Sequence, residues 1–381
     1  KESAEENEYY TYLKRANMAI YYDLTGEALR WAEFGAMPSR LPLEFSQEYW
    51  LADVTCDFLK RSAKTDKPFF CFASFSRPHN PWMPSAPFHA MYKPENIILP
   101  PTHPDDWKNK PFRFRDRWHD PKLIFYYPRM TPSALRRALA LYYGLISQID
   151  SQIGRILDCL EQTGLIDSTI VVFCSDHGDF AGEHGIIDKG VPTLDGIWRV
   201  PLLISAPCCG LPSGIVCNQL VSLIDVMPTL FELVGLDVPR HVEGRSLMKE
   251  IKQPDWTGRE AVFYEYRHVK TVRTSRYVMS YYLPGEDFAR NYDHSTCWAT
   301  GGELYDLQKD PDQFHNVYDE PEYLQIRLRL TEMLLEWFCN TERVHRFSIT
   351  PRKSGPLATY DRFGLTPEQY KANYMKGHPY L

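Results

Sequence analysis

The feature that most constrains this fold is Thr169-Ile170-Val171-Val172-Phe173-Cys174, a β-branched run followed at once by Ser175-Asp176-His177-Gly178-Asp179. Branched side chains are stiff at χ1 and favour a pleated backbone, so the run predicts a buried strand with polar residues at its carboxyl end. In α/β sheets that edge is where ligands bind, because the strand fixes position while the following loop supplies chemistry. A second run, Phe69-Phe70-Cys71-Phe72-Ala73-Ser74-Phe75 after Lys67-Pro68, has the length and continuous apolarity of a central strand covered on both faces. It ends in Arg77-Pro78-His79-Asn80-Pro81-Trp82, where prolines stop regular pairing and force an ordered loop that carries a histidine.

Helical spacing surrounds these runs. Residues 49–59 predict a helix with an apolar stripe, and Lys60 and Arg61 suit its C-terminus. Thr131-Pro132 fits an N-cap and first helical position, after which Leu135, Leu139, Tyr142, Leu145, Ile149, Ile153, Ile156 and Leu160 recur at helical intervals until Gly164 supplies a stop. A strand-like run at 200–205 and an amphipathic segment at 225–231 carry the alternation to about Gly235. The expected architecture is α/β, with a mixed, largely parallel central sheet flanked by helices. Beyond Pro254 the texture changes to short aromatic and β-branched strands, 277–282 and 303–307, which predict a smaller antiparallel sheet. One helix presenting Leu324, Leu328, Thr331, Leu334, Leu335 and Phe338 is expected to pack on it, giving an α/β domain over 1–258 and an α+β subdomain over 259–381.

Composition excludes several classes. With 44% hydrophobic and 24% charged side chains over 381 residues, the chain buries a large core and is not a disordered or fibrous polymer. Its 43 basic against 49 acidic side chains give a net charge of −6, which leaves no global positive field for a nucleic-acid backbone. Arg113, Arg115 and Arg117 form a local basic patch on a surface excursion between Pro100 and Pro132, suited to a polyanion or simply to water. No apolar run approaches the roughly 18 residues that spanning a bilayer demands. The opening Lys1-Glu2-Ser3-Ala4-Glu5-Glu6 lacks the order of a signal peptide, so any export signal is expected outside this chain. Nine cysteines, with Cys208 and Cys209 adjacent, spell no legible disulfide framework.

Asp176 and His177 follow the strand directly, and Asp179, Glu183, His184 and Asp188 come soon after, so carboxylate and imidazole donors gather in one loop region. Hard divalent cations prefer several carboxylate oxygens, so two local ligands need further acids from elsewhere in the fold. The same Asp-His-Gly also suits an ordinary turn, with Asp capping and Gly supplying positive φ. His79, stiffened by Pro78 and Pro81, suits an imidazole that donates to an anion or shuttles a proton, and equally a surface-loop histidine. Lys189 can place its ammonium on the oxygens of a tetrahedral anion or face solvent. Arg199, before Val200-Pro201, is expected to pair with a carboxylate in a structural role.

Together, the order and spacing resemble the sulfatase family of the alkaline-phosphatase superfamily. The resemblance rests on Lys67-Pro68-Phe69-Phe70, Ser74-Phe75-Ser76-Arg77-Pro78-His79-Asn80-Pro81, Tyr142-Tyr143, Asp150, Gly154-Arg155 and Gly164-Leu165. It continues through Phe173-Cys174-Ser175-Asp176-His177-Gly178-Asp179, Gly182-Glu183-His184-Gly185, Lys189-Gly190 and Arg199-Val200-Pro201-Leu202, the most specific stretch. Residues 225–235 and Gly302-Glu303-Leu304-Tyr305-Asp306-Leu307, with Asp310-Pro311 and Asn316, extend it to about residue 340, whereas 341–381 match nothing recognisable. The resemblance implies Asp176 and His177 as Ca²⁺ ligands, with Mg²⁺ or Mn²⁺ as alternatives, and His79 and Lys189 as contacts to sulfate oxygens. It further implies a hydrolase of sulfated carbohydrates, sulfated glycans among them, or aryl esters, in an exported, periplasmic or lysosomal-type compartment.

The sequence departs from the family at its amino-terminal side. Members begin with a strand ending in paired aspartates, then carry a Cys or Ser in a C/S-x-P-S-R motif that becomes formylglycine, whose hydrated aldehyde is the nucleophile. Ala36-Met37-Pro38-Ser39-Arg40 is only superficially similar, since alanine cannot become an aldehyde, and Asp23 is a single acid close to it. The expectation is a carboxyl-terminal portion of a sulfatase, inactive without an N-terminal segment that holds the formylglycine and the remaining metal ligands. Two rivals stand beside it: a phosphonate monoester or phosphodiester hydrolase of the same superfamily, and a noncatalytic relative that binds anionic glycans.

Overall fold

The computed structural model describes residues 7–21, 35–103, 106, 110, 131–189, 193–239, 242–253, 257–266, 269–282 and 301–341. Asp23 and the arginines at 113, 115 and 117 lie outside these residues. The chain divides into two compact units, 1–331 and 332–381. Of the second, the described part is the end of a helix.

Caps written in the sequence set the helices. Asn7 opens α1 (Glu8–Arg15) by accepting from the N–H groups of Tyr9 and Tyr10, which are otherwise orphaned at a helix start. Ser46 caps α2 (Gln47–Ser62), which contains the helix expected at 49–59 and holds Lys60 and Arg61 in its last turn. Thr131 caps α3 (Pro132–Gln162) through a 3.3 Å bond from Ala134 N–H. That helix ends in a Schellman motif: Leu165 N–H donates to Leu160 O at 2.9 Å and Gly164 N–H to Glu161 O at 3.0 Å, with Gly164 at φ +70°. Helices α2 and α3 meet through Cys56, Leu59, Cys159 and Leu160, and Phe69 and Val171 pack against the same cluster. Helices therefore flank the first sheet.

In that sheet β1 (Val171–Cys174) pairs antiparallel with β2 (Leu202–Ser205), Cys174 opposite Leu202, and a short helix α4 (Asp195–Trp198) precedes β2. Two expectations change here. The run 69–75 forms no ladder, and its Phe70 and Phe72 are 79% and 80% exposed. β1 is likewise only half-covered, with Phe173 41% exposed. The physical reason is shared: apolar composition announces that both faces want cover, but among the described residues 69–75 has no ladder partner and β1 pairs along one edge only.

Helix α5 (Val226–Leu233) fulfils the amphipathic segment, and α6 (Met248–Lys252) follows. Asp225, fully buried at the start of α5, accepts from Arg245 N–H at 3.0 Å, Ser222 N–H at 2.8 Å and Arg259 Nη2 at 2.7 Å. It thereby ties three chain segments to one carboxylate. The second sheet is antiparallel as expected, and runs in the order β3 (Ala261–Tyr266), β4 (Val269–Thr274), β5 (Tyr277–Tyr282), β6 (Gly301–Asp306), its first two strands not having been singled out in the sequence. Its Val278 and Tyr305 share a core with Phe180, Ile186, Leu194 and Ile197 from the segment between β1 and β2. Helix α7 (Leu324–Thr341) forms where expected and buries only part of the expected face: Leu334 is buried beside Leu330 and Met333, while Leu324, Leu328 and Leu335 are 40%, 54% and 61% exposed. Arg327, one turn before Leu330, donates to Tyr318 O at 2.6 Å and so fixes that side. No helix of the described residues is long and apolar enough to cross a membrane.

Candidate active site

Three of the four candidate residues converge at the carboxyl end of β1. Asp176 Oδ1 accepts from His177 N–H at 2.9 Å, its side chain 86% exposed, and Lys189 Nζ lies 3.3 Å from His177 Nε2. His177 Nδ1 is 2.8 Å from Gly178 O. A carbonyl oxygen cannot donate, so Nδ1 carries the proton and Nε2 keeps its lone pair, available to Lys189 or to a cation. His79 is set in the same way: its Nδ1 donates to Asn80 O at 2.6 Å, leaving Nε2 free to exchange a proton.

Gly178 is required by close approach rather than by the positive φ expected of a turn. Its φ is ordinary, but a Cβ there would stand 2.0 Å from Gly196 O, and its N–H donates to Ile197 O at 2.7 Å. The loop after β1 is thus pinned against α4.

Asp179, next in the chain, folds the rest of the loop. Its Oδ1 accepts from Ala181 N–H at 2.8 Å and Asp188 N–H at 3.1 Å, which sets Lys189. Burial pushes the Asp179 carboxyl above its ordinary range, while those two N–H groups pull it back and the His79 imidazole acts in the same lowering sense. Among the described residues no hydrogen bond joins His79 to Asp176, His177 or Lys189, so only the latter three are in direct contact. Burial, with Asp179 close by, also raises the Tyr142 phenol.

Other expected donors are directed elsewhere. His184 is buried, its Nδ1 donating to Asp106 Oδ2 at 2.8 Å, and Lys110 pairs with the same carboxylate. Burial holds His184 below its ordinary pKa. Glu183 Oε2 lies against Gly196, where burial and Asp195 raise the carboxyl and Arg199 lowers it. Burial likewise raises the Asp195 carboxyl at the start of α4, with Arg273 and Arg199 acting in the lowering sense. Among the described residues no group of three or more His, Cys, Asp or Glu is placed to hold a metal. The Asp176 carboxylate and His177 Nε2 suit one side of a hard cation's shell and cannot close it.

Sequence reasoning missed the support beneath His79. Arg77 Nη1 donates to His79 O at 3.0 Å and to Pro81 O, and Glu48 Oε1 lies 3.8 Å from Arg77 Nε. Gln148 Nε2 donates to Glu48 Oε2 at 2.9 Å, while Gln148 Oε1 accepts from Ser85 N–H at 2.7 Å. Glu48 and Gln148 are buried polar residues on otherwise amphipathic helices, and their places on the apolar faces of α2 and α3 were the available signal. The Ala36 segment runs beside this loop, with Met37 N–H on Trp82 O and Ser39 N–H on Pro84 O.

Comparison with known proteins follows this geometry. Residues 5–236 match the family described as sulfatase, and residues 182–339 match the C-terminal family of N-sulphoglucosamine sulphohydrolase. The chain is 31% identical over 318 residues to the multifunctional alkaline phosphatase superfamily protein PehA of Trinickia caryophylli, covering 79% of this chain and 61% of that protein. It is 35% identical over 278 residues to an arylsulfatase of Clostridium perfringens, covering 72% of this chain and 54% of that one. The solved phosphonate monoester hydrolase of Agrobacterium radiobacter superposes with a TM-score of 0.64 at 26% identity, over 80% of this chain and 63% of that structure. The chain thus spans less than two thirds of the length of these relatives. With the family matched across most of the sequence and the Asp176, His177 and Lys189 cluster at its strand end, the chain belongs to the sulfatase family of the alkaline-phosphatase superfamily.

Proposed function

We propose that this chain serves in the hydrolysis of sulfuric esters, with Asp176 and His177 as two ligands of a divalent cation, Ca²⁺ first among candidates, and Lys189 and His79 as contacts to the sulfuryl group. The observation that carries this reading is the approach of Lys189 Nζ to His177 Nε2 at 3.3 Å beside an exposed Asp176 carboxylate. An ammonium and an exposed metal-ligand pair in one place suit a small oxyanion. When bound, the cation supplies positive charge against the ester oxygens. Lys189 holds the oxyanion by charge, and His79, its Nδ1 proton fixed on Asn80 O, takes a second proton at Nε2 from water and hands it to the departing alcohol oxygen.

The nucleophile, a formylglycine, and the remaining cation ligands are proposed to come from polypeptide outside these 381 residues. Support comes from the unpaired run 69–75 and from β1: both start at the core of α2 and α3, both lead to the site, and both leave large apolar side chains open. A strand from such a segment would give both runs a ladder and bring acids to the incomplete shell. The substrate class, sulfated carbohydrate or aryl ester, belongs to the same proposal, as do the boundary near residue 258 and an exported or lysosomal-type setting.

A second reading, phosphonate ester hydrolysis, is favoured by the likeness to the Agrobacterium enzyme, because the same cation and lysine suit a phosphoryl group. Paired assays with an aryl sulfate and an aryl phosphonate monoester separate the two. Turnover of sulfate that falls on Lys189→Ala supports the first reading, and turnover of phosphonate alone overturns it. Intact-mass analysis of active material tests the second polypeptide: activity from a lone 44.5 kDa species refutes it.

A further inference from the structure

At the end of β2 farthest from Asp176, since Ser205 pairs with Val171 and Leu202 with Cys174, the chain turns tightly through Pro207–Cys209 and closes on Gly210 at φ +66°. The Cys208 and Cys209 sulfurs in this turn are 3.6 Å apart. Cys208 is exposed and Cys209 half-buried, and all eight cysteines among the described residues are free thiols. Cys209 Sγ donates to Leu233 O at 3.4 Å, one of the last carbonyls of α5, which have no partner within their own helix. One thiol is thus open to solvent, and its neighbour is aligned by a helix end.

We propose that Cys208 and Cys209 form a vicinal dithiol site that hydroperoxides oxidise to a disulfide between the two adjacent residues. The exposed Cys208 thiolate attacks the terminal peroxide oxygen, the O–O bond breaks and an alcohol (water, from hydrogen peroxide) leaves, giving a sulfenic acid. Cys209 sulfur then attacks the Cys208 sulfur, the S–S bond forms, the S–O bond breaks, and hydroxide departs as water with the Cys209 proton. Two thiols lose two electrons and one hydroperoxide gains them. Burial and the Cys208 sulfur raise the Cys209 pKa, which suits it to the second role rather than the first.

Two consequences follow from position. Adjacent Cα atoms are about 3.8 Å apart, shorter than disulfides ordinarily span, so the bond is strained and easily reduced, a reversible mark rather than a staple. Closure also consumes the S–H that caps Leu233 O, so oxidation loosens the end of α5 while leaving the Asp176 end of β1 in place.

The test takes the whole reduced protein, frees it of reductant, exposes it to hydrogen peroxide, alkylates it and maps its peptides. The expected result is a loss of two hydrogens confined to the peptide holding Cys208 and Cys209, reversed by dithiothreitol, with Cys71, Cys174, Cys217 and Cys339 still alkylated. In Cys208→Ser the loss disappears. Equal alkylation of Cys208, Cys209 and Cys217, a disulfide from either residue to Cys217 or to a second chain, or unchanged mass loss in the Cys208→Ser variant would each overturn the proposal. No readout depends on ester hydrolysis, so its failure leaves the reading of the active site untouched.

Discussion

Replacing Gly178 by alanine puts a methyl carbon 2.0 Å from Gly196 O and 3.3 Å from Ile197 Cα, both backbone atoms that cannot rotate away. Restoring ordinary contact moves the β1 loop and α4 apart by more than about 1 Å. That displacement breaks the 2.7 Å bond from Gly178 N–H to Ile197 O. Forced overpacking costs about 1–3 kcal/mol and the lost hydrogen bond about 0.5–1.5 kcal/mol, so Gly178→Ala is expected to destabilise the protein by about 2–4 kcal/mol. Equilibrium urea unfolding reads this directly: with a slope of about 3 kcal/mol per molar, the midpoint falls by about 1 M. The loss should be accompanied by weaker anion binding, because the Gly178 carbonyl orients His177. A variant whose midpoint stays within about 0.2 M of the parent, a change below 1 kcal/mol, would refute the packing account.

Other expectations are as specific. Lys189→Ala should weaken inorganic sulfate binding about tenfold, measured by calorimetry, through loss of a charge-assisted contact; unchanged affinity removes Lys189 from the oxyanion site. Asp225→Ala strips one carboxylate from three donors, leaves Arg259 unpaired and should cost about 3–5 kcal/mol by denaturant titration. His184 binds its proton less readily folded than unfolded, so its share of stability is present above the unfolded value near 6.5 and is lost as pH falls toward the depressed folded pKa, with a slope of at most about 1.4 kcal/mol per pH unit. Asp179, raised, has the opposite sign lower on the scale, its ionisation eroding stability as pH climbs from about 4. His184→Gln should flatten the first slope, and an unchanged slope would assign it to other groups. Thr131→Ala should cost about 1 kcal/mol through the lost α3 cap, read in the same titrations.

Much of this molecule can be read from short-range rules. Thr131, Pro132 and Gly164 mark both ends of α3 because caps act within one turn, and the strand at 277–282 shows in its aromatic and β-branched content, whereas the one read at 303–307 begins two glycines earlier, at 301. What resisted reading depends on distant neighbours. The run 69–75 has the composition of a covered strand, yet coverage is a property of the partner, not of the run. Gly178 looks like a turn glycine until Gly196, eighteen residues on, is seen against it. Glu48 and Gln148 drew no reading because polarity ordinarily means solvent, whereas here they are buried and brace the Arg77 and His79 loop from below. His184 looked like a donor beside Asp176, but its imidazole is turned to structural use on the buried Asp106.

The segment that carries Lys189 rests on parts synthesised much later: Thr193 Oγ1 on Ser280, Asp195 on Arg273, and Asp195 N–H on Gln313. At translation rates of about 5–20 residues per second, roughly 6–25 s separate Lys189 leaving the peptidyl-transferase centre from Gln313 doing so. For that interval the floor of the nascent lysine loop is incomplete, and a ribosome-stalled chain arrested before β4 should hold it open to protease.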